Sequence, residues 1–155
     1  MKKLLFVCSG NTCRSPMAKV IFQQLLSDKN NINITADSAG LFTSPGLPAS
    51  DSAIRVMFDM GLDLSSHSSQ VINESLMTEA DLVLTMTREQ RLYLAGQFPK
   101  KEYKIFTLGQ FIGQTDRDIE DPYGRSLEMY RKSSQEIKEI LIKVMNKLLD
   151  DKTAD

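Results

Sequence analysis

Four consecutive apolar residues, Leu4-Leu5-Phe6-Val7, run straight into the polar turn Cys8-Ser9-Gly10-Asn11, and from Pro16 the apolar positions Met17, Val20, Ile21 and Leu25 recur at helical spacing. A strand with one wet face alternates apolar and polar residues. An unbroken apolar run needs cover on both faces, which parallel sheets flanked by helices provide. The same unit returns along the chain. Ile32 to Asp37 reads as a second strand, Ser50 to Met60 as a helix stopped by Gly61, and Asp81 to Met86 as another strongly apolar strand. Thr87 to Phe98 then reads as a helix and Tyr103 to Thr107 as a fourth strand. The last helix is the most regular, with Leu127, Tyr130, Ile137, Ile140, Leu141, Val144 and Leu148 on one stripe. Ser15 suits the N-cap of the first helix and Pro16 its first helical position. Strands alternating with helices imply right-handed crossovers, so the expected fold is α/β: a three-layer, doubly wound, four-stranded parallel sheet in a single domain. Ligands of such sheets bind beyond the carboxyl ends of the strands, which brings the loop after Val7 forward.

With 155 residues, the chain suits one domain, read as 1–150 followed by a short tail, 151–155. Lys and Arg number 19 against 20 Asp and Glu, so no overall field draws it to nucleic acid or to an anionic membrane. Neither is expected as a partner, and the chain is expected to be a monomer. No stretch approaches the roughly 20 apolar residues of a membrane span, and Leu4 to Val7 is too short for a signal-peptide core, so a cytoplasmic protein is expected. Cys8 and Cys13 cannot build a disulfide framework, and the sole histidine, His67, leaves no Cys/His cluster for zinc. No metal and no cofactor is expected.

The segment Cys8-Ser9-Gly10-Asn11-Thr12-Cys13-Arg14-Ser15 places a cysteine and an arginine five residues apart between a buried strand and a helix N-terminus. A tight loop of that length wraps its backbone N–H groups around a tetrahedral oxyanion, and the helix adds its positive end. Residues 9–15 are therefore the expected phosphate-binding loop, with Gly10 and Asn11 as types that tolerate positive φ. A thiol at the base of such a cradle is held as the thiolate, so Cys8 is the expected nucleophile. Arg14 supplies a planar fork for two phosphoryl oxygens, and Ser15 is placed to hydrogen-bond the sulfur. Each residue has a plainer reading too: a buried core thiol, a solvated arginine, an ordinary strand-to-helix turn.

Val7 to Ala18, VCSGNTCRSPMA, resembles the signature of the low-molecular-weight protein tyrosine phosphatases, cytosolic enzymes with a flavodoxin-like fold of this size. Asp121-Pro122-Tyr123 resembles the segment that carries their general acid, and Asp37-Ser38-Ala39-Gly40 and Ser65-Ser66-His67 match two further family segments. The resemblance spans about Lys3 to Leu149. It implies that Cys8 attacks phosphorus, that Arg14 and backbone N–H groups hold the equatorial oxygens, and that Asp121 protonates the leaving atom. Asp118 and Glu120 are nearby rival carboxylates. Asn11, Ser38 and His67 correspond to residues that support the phosphate loop, and Tyr123 to a wall of the substrate cleft. Cys13 is either a redox partner that forms a protective disulfide with Cys8 or a small buried filler.

Phosphorylated proteins are the expected substrates. Thr12 stands where phosphotyrosine-preferring members commonly carry an aliphatic side chain, and it resembles the protein-arginine phosphatase branch of Gram-positive bacteria, as does Phe42. A hydroxyl on the cleft floor offers a polar contact to a guanidinium, whereas a tyrosine ring wants apolar walls. Phosphotyrosine and phosphoarginine both stay open. Arsenate reductase, which can share the fold, needs more cysteines than this chain has. A cysteine phosphoryl carrier would not need Arg14 and Asp121. A non-enzymatic flavin- or phosphate-binding module would leave Cys8 dispensable.

Overall fold

The computed structural model describes residues 1–153. Four parallel strands, β1 (Lys2–Cys8), β2 (Ile34–Gly40), β3 (Leu82–Thr85) and β4 (Ile105–Thr107), form one sheet in the order β2-β1-β3-β4. Leu4 to Cys8 of β1 are all buried. The pleat sends alternate residues to opposite faces, which explains why the run is apolar throughout. Leu4, Phe6 and Cys8 pack with residues of α1 (Arg14–Asp28), α2 (Asp51–Asp59) and α6 (Leu127–Thr153). Leu5 and Val7 pack on the other side with Met77 of α3 (Glu74–Glu79) and Leu94 of α4 (Arg88–Gln97). The three-layer reading therefore holds, and a short helix α5 (Leu108–Phe111) follows β4.

Boundaries moved where tertiary contacts override local signals. α1 begins at Arg14, two residues before Pro16, and its N-cap is Cys13 with no side-chain cap bond. Ser15 is thus inside the first turn, its hydroxyl used elsewhere. β2 runs on to Gly40 because Ser38 to Gly40 pair with Phe6 to Cys8. That register carries the second strand to the mouth of the loop. The start of the expected fourth strand is instead a 3-10 helix, Pro99–Lys104, so β4 begins at Ile105. Thr87 caps α4 rather than joining it. The last helix continues through Asp151, Lys152 and Thr153, so most of the expected tail is helical; Ala154 and Asp155 lie outside the described residues. Among the described residues, no helix is long and apolar enough to cross a membrane.

Candidate active site

β1 ends at Cys8 and α1 begins at Arg14, and the five residues between them turn back through Asn11, whose φ of 54° is left-handed. Gly10 does not share that conformation, so the permissive residue in use is Asn11. Asparagine tolerates the left-handed region because its short amide can bond locally. Here the amide is fully buried: Nδ2 donates to Ser15 Oγ (2.8 Å) and Ser38 Oγ (3.0 Å), and Oδ1 accepts from the Gln70 N–H (3.0 Å). The Asn11 carbonyl accepts from His67 Nε2 at 2.7 Å. β2 closes against the loop at Gly40, where a Cβ would lie 2.9 Å from the Ser9 carbonyl oxygen and 3.0 Å from Asn11 Cβ. Only a glycine permits that approach.

Since a carbonyl only accepts, His67 carries a proton on Nε2 there. Its pKa is pushed below the usual histidine value by burial, with the Lys19 ammonium adding to this and the Asn11 carbonyl and Asp37 opposing it. Asp37 shifts down as well. Burial pushes its carboxyl up, but the Ser38 N–H, the Lys19 ammonium at 3.1 Å and the Gln70 amide outweigh it. Ser38 and His67, expected as supports, both sit on Asn11.

The Cys8 sulfur is buried, 2.9 Å from Ser15 Oγ and 3.3 Å from the Asn11 N–H. Because Ser15 Oγ already accepts from the Asn11 amide, its own proton is free for the sulfur. An N–H and a hydroxyl thus converge on Sγ, an arrangement that stabilises negative charge there when the hydroxyl donates. At the other end of the loop Arg14, 4% exposed, donates through Nη1 to the Ile119 carbonyl (2.8 Å), and its Nη2 lies 3.6 Å from Asp121 Oδ2. Asp121 Oδ1 accepts from the Tyr123 N–H at 3.1 Å, which fixes the carboxylate in its turn. The rival carboxylates are spoken for: Asp118 accepts from the Arg88 N–H at 3.0 Å, and Glu120 lies 3.4 Å from Arg125.

Cys8, Arg14, Asp121, Thr12 and Tyr123 line one open cleft of about 1010 Å³. Phe42 stands at its edge, 63% exposed, with its ring 4.7 Å from that of Tyr93. A second groove of about 760 Å³ shares Ser9, Arg14, Phe42 and Asp121 with it. The cleft is big enough for a phosphorylated side chain together with its flanking chain. Cys13 also lines the cleft but is buried, with Sγ 3.4 Å from both Ser50 Oγ and Tyr130 Oη. Burial, then the bond to Cys13, pushes the Tyr130 hydroxyl up to about 12. Both cysteines are free thiols, hydrogen-bonded to different partners. Among the described residues, no group of three or more His, Cys, Asp or Glu is arranged to hold a metal ion.

Several contributors escaped the sequence reading. Gln70 and Gly40 shape the loop from β2 and beyond, Ser50 and Tyr130 hold Cys13, and the Gln90 amide reaches Ser9 Oγ at 3.2 Å. Gly40 had appeared only within a matched segment, Tyr130 only on the stripe of the last helix and Ser50 only as the start of a helix, none with the role seen here.

Residues 3–154 match the family described as low molecular weight phosphotyrosine protein phosphatase. The protein-arginine-phosphatase of Bacillus subtilis (strain 168) is 36% identical over 96% of this chain and 98% of its own length. A solved arginine phosphatase mutant with a phosphorylated active-site serine superposes with a TM-score of 0.93, at 35% identity over 99% of each chain. The low molecular weight protein tyrosine phosphatase from T. tengcongensis gives 0.90 at 40% identity, over 95% of this chain and 99% of that one. With the fold and nearly the full length in agreement, this chain belongs to the low molecular weight phosphotyrosine protein phosphatase family.

Proposed function

We propose that the chain is a protein phosphatase that works through a cysteinyl-phosphate intermediate on Cys8. The observation that carries this reading is the convergence, in one cleft, of a sulfur hydrogen-bonded to a backbone N–H and a hydroxyl, a buried arginine, and a carboxylate 3.6 Å from that arginine. Cys8 attacks phosphorus in line, forming the S–P bond as the bond to the substrate atom breaks. Loop N–H groups and Arg14 hold the equatorial oxygens, where charge builds up. Asp121 gives its proton to the departing atom. The resulting carboxylate then takes a proton from the water that attacks the S–P bond, so phosphate leaves and the thiolate returns. Ser15, already bonded to Sγ, eases that departure. The relative that carries a phosphoryl group on its active-site serine supports an intermediate at this position.

Protein phosphoarginine is the favoured substrate. Its guanidinium carries charge and several N–H donors, and it needs acceptors close to the loop. Thr12 and the half-exposed Asp121 both line the cleft and offer them. The arginine phosphatases among the relatives support this reading. The second reading, phosphotyrosine, draws on the exposed rings of Phe42 and Tyr123, which would flank an aromatic side chain. The named sources are bacterial, and a mechanism that needs a free thiol suits a reducing cytoplasm.

Phosphate release from matched phosphoarginine and phosphotyrosine peptides tests this, with Cys8→Ser as the blank. Turnover lost in Cys8→Ser and reduced at least about 10²-fold in Arg14→Ala is expected. Asp121→Asn should slow poor leaving groups most. A preference for phosphoarginine that disappears in Thr12→Ile assigns specificity to Thr12. Full activity in Cys8→Ser would sink the mechanism.

A further inference from the structure

Gln90 sits at the third position of α4 and is 6% exposed, and its side chain makes three hydrogen bonds. Oε1 accepts from the backbone N–H groups of Met86 (3.0 Å) and Thr87 (3.1 Å), and Nε2 donates to Ser9 Oγ (3.2 Å). The amide cannot be turned round, since that would set its N–H groups against two N–H donors. Capping explains only part of this. A glutamate would complete the Thr87 capping box equally well and would add a favourable charge at the helix N-terminus. Only an amide can take two N–H donors on one atom and give an N–H from the other.

The ends of this contact lie on the two halves of the site. Ser9 follows Cys8 and lines the cleft, and its carbonyl accepts from the Phe42 N–H at 2.9 Å. On the other branch, the Met86 carbonyl accepts from the Ile119 N–H at 3.0 Å, and the Ile119 carbonyl accepts from Arg14 Nη1 at 2.8 Å. Gln90 therefore joins the first residue of the phosphate loop to the segment that presents Asp121 and steadies Arg14. Resting on the phosphatase reading of this cleft, we infer that Gln90 is a positioning residue that holds Ser9, and with it the loop, in the shape that binds a phosphoryl group.

Inorganic phosphate is the probe, with its affinity read by calorimetry so that the outcome does not depend on turnover; melting and steady-state kinetics on p-nitrophenyl phosphate run alongside. Gln90→Glu keeps the acceptor for Met86 and Thr87 but removes the donor and sets a negative charge beside the loop. Its melting temperature should stay within about 2 °C of the wild type, while phosphate affinity falls about tenfold and KM rises with a smaller change in kcat. Ser9→Ala should weaken phosphate about fivefold in the wild type and less than about twofold in Gln90→Met, because hydroxyl and amide act as a pair. Should Gln90→Met fail to fold, Gln90→Glu decides the matter alone. Unchanged phosphate affinity in Gln90→Glu, or equal Ser9→Ala effects in both backgrounds, overturns the assignment. Failure of the phosphatase reading looks different: the wild type binds phosphate but leaves p-nitrophenyl phosphate intact, or Cys8→Ser hydrolyses it unimpaired.

Discussion

Replacing Asn11 with alanine removes three buried hydrogen bonds at once, those to Ser15, Ser38 and the Gln70 N–H. Each is worth about 1 kcal/mol net, and each former partner stays buried without a replacement, so their loss costs about 3 kcal/mol. Alanine must also hold the left-handed φ of 54°, which adds about 1 kcal/mol. A loss of about 4 kcal/mol is a large share of the 5–15 kcal/mol typical of a domain and should lower the melting temperature by about 12 °C. Urea unfolding with an unchanged slope reads the energy, and phosphate affinity reads the loop. Asn11→Gly separates the two contributions: glycine relieves the backbone strain, so it should recover about 1 kcal/mol, while phosphate affinity stays low. A loss below about 1 kcal/mol with phosphate binding intact would refute the view that this amide shapes the loop.

Gly40→Ala presses a methyl group into the Ser9 carbonyl and Thr43, both 2.9 Å from the added carbon, and should cost about 1–3 kcal/mol together with phosphate affinity; a neutral result in urea would count against the close approach. Acid should weaken the fold in two stages. His67 has a folded pKa below the ordinary histidine value of 6.5, so the unfolded chain binds the extra proton and stability falls as pH drops from 6.5 through the lowered value. Asp37 adds a second loss as pH falls below 3.8. The slope of each is at most about 1.4 kcal/mol per pH unit, reduced by solvent at these half-buried sites. Unfolding of His67→Asn at pH 7.5 and 5.5 checks the first stage, which should vanish. Tyr93→Ala removes the ring behind Phe42 and should raise KM for peptide substrates a few-fold, consistent with the roughly 0.5–1.5 kcal/mol of an aromatic pair; peptide kinetics identical to wild type would leave Phe42 independent of Tyr93.

The proposed nucleophile, the arginine and the loop between them could be picked out in the sequence because they are adjacent in the chain, and an unbroken apolar strand beside a helix leaves few places for such a loop. The proposed acid, Asp121, was pointed to only by resemblance. Asp118, Glu120 and Asp121 look alike locally, and it is Arg88 and Arg125 that engage the first two. The helix start was misplaced because Ser15 looks like an N-cap, yet its hydroxyl is held by Asn11 and Cys8. A local cap is one option among several for a serine, and the tertiary partner took it.

The sequence by itself determined the parallel α/β architecture, through apolar runs that demand cover on both faces, and the position of the candidate anion-binding loop, through residue types whose chemistry is local. Tertiary structure alone decided which distant groups complete that loop. Ser38, His67, Gln70 and Gln90 lie 27 to 81 positions from the loop residues they bond. Such bonds depend on strand register and helix placement, and a polar side chain gives no sign along the chain of which far donor or acceptor folding will bring to it.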